Sequence, residues 1–82
     1  MDNTEIKEGE YHPAADQALE YIQNMDHLKL IRYSETFAST AMSGNRLAEI
    51  CHGTLDRLFN KEPVSDRYIL GLAWTLKEME NG

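Results

Sequence analysis

Histidine and cysteine, the residues best able to supply acid–base, nucleophilic or metal chemistry, are scarce in this sequence. The chain has three histidines, His12, His27 and His52, and a single cysteine, Cys51. None of the histidines stands at a metal-ligand spacing such as HExxH. Cys51 and His52 are neighbours, and adjacent side chains on a helix diverge by about 100°, so they do not form a nucleophile–base pair. We therefore expect no metal site and no nucleophilic catalysis.

Carboxylates and glycines also lack the spacings that catalysis or cofactor binding requires. Glu49 and Asp56 are two helical turns apart, about 10 Å along the axis, which suits solvated charge better than a shared acid–base site. The five glycines are scattered and form neither GxGxxG nor GxxxxGK[ST]. One cysteine excludes an internal disulfide and a multi-cysteine zinc site. The sequence thus predicts a protein that is not an enzyme and that holds no cofactor.

The charge is concentrated at the beginning of the chain. The 82 residues carry a formal net charge of −6, with 41% hydrophobic residues, a globular composition. Residues 1–20 contain six acids and only Lys7 as a base, whereas the rest of the chain is nearly neutral. We predict a flexible acidic leader over residues 1–12, ahead of a single helical domain over residues 13–82. A leader that folds against a basic partner is the alternative.

The sequence contains no targeting or membrane-spanning segment. The first ten residues have neither a basic start nor an apolar core, so they do not form a secretory signal. The longest apolar stretch, residues 68–74, is far shorter than the roughly 20 residues that span a bilayer. We expect a soluble cytoplasmic protein that does not bind membranes.

Apolar residues recur at steps of three and four in four segments, which indicates amphipathic helices. Pro13 suits the first turn of the first helix, and Ser43, Gly44 and Asn45 form a turn before the third. Residues 28–42 fit a helix better than a strand, since no second strand is present to pair with one. The predicted core stripes are Ala15, Ala18, Leu19, Ile22 and Met25; Leu30, Tyr33, Phe37 and Ala41; Leu47, Ile50, Cys51, Thr54, Leu55 and Leu58; and Ile69, Leu72, Ala73, Leu76 and Met79. The predicted fold is all-α, a compact bundle of three to four helices.

The last helix carries a second apolar set, Tyr68, Leu70 and Trp74, away from its core stripe. A helix that is apolar on more than one side is either central in its bundle or in contact with a partner. Aromatic residues are enriched at protein interfaces. We predict that these three residues form a partner interface, with another protein or with a second copy of the chain.

Parts of the sequence resemble the lambda-repressor-like helix-turn-helix family. The stretch NKEPVSDRYILGLAWTLKE, residues 60–78, is similar to the end of that family's domain through Lys61, Pro63, Ser65, Ala73 and Leu76. Upstream, Ala41, Met42 and Ser43, followed by Leu47, Ile50 and Gly53, resemble its turn and recognition helix. The two matches do not fit one register, because Thr54 to Phe59 is an extra stretch between them. The resemblance implies DNA contact by Ser43, Asn45 and Arg46 at the start of the recognition helix.

Two functions therefore compete. The first is a non-catalytic interaction module, a regulatory or inhibitory binding protein of a type common among phage and mobile-element products. The second is a small helix-turn-helix transcriptional regulator. The nearly neutral body and the acidic leader offer little attraction for phosphates, so we favour the first.

Overall fold

The described part of the chain consists of four α-helices joined by short turns. A computed structural model describes residues 13–82. The helices are α1 (Pro13–Gln23), α2 (His27–Met42), α3 (Arg46–Phe59) and α4 (Asp66–Asn81). Within this range there is no strand, so the predicted all-α bundle is confirmed, including the helix over residues 28–42. The predicted leader, residues 1–12, lies outside the described residues.

Short polar side chains fix the starts of two helices. The Asp26 carboxylate accepts a hydrogen bond from the backbone N–H of Lys29 at 3.2 Å, which caps α2. The Asn45 amide oxygen accepts one from the backbone N–H of Ala48 at 2.8 Å, which caps α3. Ser65 precedes α4, but its side chain makes no capping hydrogen bond. Side-chain caps thus mark the starts of α2 and α3.

The turn between α2 and α3 depends on a glycine. Gly44 has a φ of +95°, in the region that residues with a side chain rarely adopt. Its backbone N–H donates to the carbonyl of Ala41 at 2.9 Å, which closes the end of α2. The turn of residues 43–45 allows α3 to fold back along α2.

The helices pack in the order α2, α3, α4, α1, so α3 and α4 occupy the middle of the bundle. One continuous cluster of buried side chains joins all four helices. Leu55, Leu72 and Leu76 are its most deeply buried large residues. The buried members are Ala18, Ile22, Leu30, Phe37, Ala48, Cys51, Leu55, Ile69, Leu72, Ala73 and Leu76.

The predicted stripe of α3 was wrong at Leu47 and Ile50. Leu47 is 55% exposed and Ile50 is also exposed, whereas Ala48 is buried. Leu47 lies in the first turn of α3, where side chains point back past the helix end, and nothing covers it there. Ile50 lies at the edge of the buried arc that Ala48, Cys51 and Leu55 define.

Candidate interaction surface on the last helix

Helix α4 has two faces of different character. Ile69, Leu72, Ala73 and Leu76 are buried in the core. The opposite side carries residues that recur at three- and four-residue steps from the beginning to the end of the helix. We call this the outer face of α4; it consists of Arg67, Leu70, Gly71, Trp74 and Glu78.

Trp74 is the most prominent residue of the outer face. Its side chain is 65% exposed, an unusual state for the largest amphipathic side chain. Leu70, one turn earlier, is half-buried and packs against the core cluster. The two residues border a shallow depression of about 280 Å³, which Ala14 and Gln17 of α1 close on its other side. An apolar patch on the α4 surface therefore continues toward α1.

Tyr68, the third residue of the predicted interface, lies elsewhere. It borders a groove of about 410 Å³ between α3 and the start of α4, together with Ile50 and Val64. Arg46 and Arg57 stand at the two ends of the α3 wall of this groove. The structure thus brings Leu70 and Trp74 together and places Tyr68 on a different side of α4.

A polar cluster fastens the end of α4 to α2. Glu80 accepts a hydrogen bond from the Tyr33 hydroxyl and forms an ion pair with Lys29 at 3.1 Å. The Tyr33 hydroxyl, followed by the Lys29 ammonium, lowers the pKa of the Glu80 carboxyl. Reciprocally, the bond to Glu80 raises the pKa values of Lys29 and Tyr33. These residues are far apart in sequence, and no local spacing predicts their meeting.

The residues of the DNA-binding interpretation are already engaged in the α2–α3 turn. Ser43 ends α2, where its backbone N–H donates to the carbonyl of Thr40. Asn45 uses its amide oxygen to cap α3. Arg46 is largely exposed and lies 4.0 Å from the carboxylate of Glu49. The Arg46 side chain therefore extends into solvent from the start of α3.

The residues with potential for chemistry do not form a site. Cys51 is buried, and this burial raises the pKa of its thiol, so the reactive thiolate is disfavoured. His27 packs edge-to-face against Phe59, with ring centres 5.7 Å apart. Within residues 13–82, no group of three or more histidine, cysteine or acidic residues could hold a metal ion. None of the helices in this range has both the length and the apolar character needed to cross a bilayer.

Comparison with known proteins yields no match. No protein-family model fits the chain, no curated protein is similar to it, and no solved structure shares its fold closely enough to match. The resemblance to lambda-repressor-like proteins therefore rests on the quoted residues alone.

Proposed function

We propose that this chain is a non-catalytic protein-interaction module whose binding surface is the outer face of α4. The exposed Trp74 is the observation that carries the proposal. A tryptophan side chain offers roughly 200–250 Å² of surface, of which about two thirds faces solvent here. Covering that area with a partner contributes about 3–4 kcal/mol at 25 cal/mol per Å².

The location of Trp74 supports the proposal that its exposed indole binds a partner and is not a core side chain left uncovered. The opposite side of α4 already supplies the buried residues that the bundle uses, and α4 has neighbours on two flanks, α1 and α3. Leu70 and the depression beside α1 extend the apolar surface around the indole. An anchor surrounded by smaller apolar contacts is typical of binding hot spots.

A binding protein of this size changes its partner by occupying a surface, so we propose a regulatory or inhibitory role. We place this role in the cytoplasm, where the lone Cys51 stays reduced. Small size and net negative charge are common among phage and mobile-element proteins that bind and regulate or inhibit another protein, and we propose that this chain is of that type.

The test compares two variants that each replace an exposed apolar residue by glutamate. Trp74→Glu places a charge on the outer face, whereas Leu28→Glu places one in the first turn of α2, where an acid suits the helix dipole. Tagged wild-type and variant proteins are used as baits in extracts of the native host, with quantitative mass spectrometry as the readout. We expect a partner, or the untagged chain itself, that wild type and Leu28→Glu retain and Trp74→Glu loses. Equal capture by all three baits would refute the proposed surface.

The alternative function, DNA binding, has one structural feature in its favour. Helices α2 and α3 pack together across a short turn, and Arg46 extends from the start of α3. If α3 reads DNA, Arg46→Ala abolishes a salt-sensitive gel shift and leaves the circular dichroism spectrum unchanged. We expect no specific shift with the native protein, because the body of the chain is close to neutral. A reproducible footprint upstream of its own gene would reverse the ranking of the two functions.

A further inference from the structure

Two charged residues of the outer face stand at the wrong ends of α4. Arg67 is in the first turn, where the helix dipole favours acids, and Glu78 is in the last turn, where it favours bases. Neither forms an ion pair within residues 13–82. Glu80, also in the last turn, differs because Lys29 and Tyr33 hold it in place. Among residues 13–82, Arg67 and Glu78 therefore stand at unfavourable ends of the helix and have no compensating ion pair.

The spacing of these charges makes the outer face complementary to itself. Arg67 and Glu78 are eleven residues apart, so they share one side of the helix, separated by about 16 Å along the axis. Trp74 and Leu70 lie between them. When two copies of α4 lie antiparallel about a twofold axis at residues 72–73, Arg67 of each copy meets Glu78 of the other.

We infer that the partner on the outer face of α4 is a second copy of this chain, bound with the two α4 helices antiparallel. This inference rests on the proposed function and specifies its partner. A twofold contact uses the same patch on both copies, which the order Arg67, Trp74, Glu78 satisfies. A parallel arrangement would place Arg67 against Arg67 and Glu78 against Glu78, and is therefore disfavoured by repulsion.

A glycine on the same face provides space for the indole. In the antiparallel register, Gly71 of one copy lies opposite Trp74 of the other. A Cβ built on Gly71 would have no neighbouring atom within 4 Å, so neither packing nor backbone conformation within residues 13–82 requires glycine there. Glycine is a poor helix former, and at this position it would allow a second helix to approach closely beside Trp74.

Charge reversal tests the arrangement without threatening the fold. Arg67→Glu and Glu78→Arg each put the charge that the helix dipole prefers at that end of α4, so both variants should stay helical by circular dichroism. Each single reversal places like charges together at two symmetric positions of the dimer, whereas the double variant restores opposite charges. Arg32→Glu, the same substitution on the exposed side of α2, is the control.

Sedimentation equilibrium of the full chain over a range of concentrations gives the dimer dissociation constant for each variant. We expect each single reversal to raise the dimer dissociation constant about tenfold, because it affects two symmetric surface ion pairs. The double variant should have a dissociation constant within about threefold of that of wild type. Arg32→Glu should match wild type. A wild type that stays monomeric up to about 1 mM, or a double variant as weak as the singles, would overturn the inference.

The two proposals fail in different ways. If the wild type is monomeric yet Trp74→Glu abolishes capture of another protein, the interaction surface is correct and the second copy is wrong. If wild type dimerises and neither Trp74→Glu nor the reversals change the dissociation constant, the dimer uses another surface, and both the second-copy arrangement and the role of Trp74 in self-association are refuted.

Discussion

Replacement of Leu55 by alanine should remove a large share of the stability of this domain. Leu55 is 0% exposed and lies in α3, which packs on both α2 and α4, so its truncation leaves a cavity at the centre of three helices. Leu→Ala changes at fully buried sites cost about 3–4 kcal/mol, the lost transfer energy plus the cavity. An 82-residue chain has a stability of only about 4–12 kcal/mol.

The measurement is urea unfolding followed by circular dichroism. With a slope of about 1 kcal/mol/M for so small a domain, the midpoint of Leu55→Ala should fall by about 3 M. Leu47→Ala removes the same atoms from the same helix, but at a side chain that is more than half exposed. Its cost should stay below about 1 kcal/mol. Similar losses for the two variants would refute the assignment of the buried face of α3.

Further predictions concern two glycines, the cap of α3 and the polar cluster at the end of α4. Gly53→Ala should stabilise the protein by about 0.5–1 kcal/mol in urea unfolding, because Gly53 lies inside α3 with open space where a Cβ would stand. Gly44→Ala should destabilise it by a similar amount, because Gly44 has a positive φ. Asn45→Ala should cost about 1 kcal/mol through loss of the α3 cap, with Asn45→Ser nearly neutral. The lowered pKa of Glu80 means that its contribution is present above the ordinary carboxyl pKa of about 4.3 and is lost as pH falls through the lower folded value. The raised pKa of Lys29 means that its contribution to stability is present below about pH 10.4 and is lost at higher pH. The melting temperature of Glu80→Gln should therefore vary less than that of wild type at both acidic and alkaline pH.

Local sequence was sufficient to predict the helices because their signals are short-range. Pro13 begins α1, and Ser43, Gly44 and Asn45 form the predicted turn before α3. The interpretation of residues 28–42 as helix was also confirmed, since α2 spans His27–Met42. These features depend on a residue and its neighbours within one turn.

Burial was predicted less well, because it depends on where the neighbouring helices end. The α3 stripe correctly included Cys51, Thr54 and Leu55. It also included Leu47, which has the right angular position but is exposed in the first turn. Periodicity gives the direction in which a side chain points, not whether another element covers it. The cluster of Lys29, Tyr33 and Glu80 escaped prediction for the related reason that it joins helices about fifty residues apart in the chain.

The outer face of α4 is defined by the periodicity of the sequence together with the packing of the helices. Periodicity alone separated Leu70 and Trp74 from the core stripe, but it grouped them with Tyr68, which the packing of α3 places in a different groove. The charges against the helix dipole, Arg67 and Glu78, were readable in the sequence once the helix bounds were known. A charge at the unfavourable end of a helix points to a binding partner only when the structure provides no ion pair for it. Glu80 and Glu78 lie in the same turn, and among the described residues Glu80 has such a pair whereas Glu78 has none. The unfavourable charges and the exposed indole share one face, so a single antiparallel contact would relieve both.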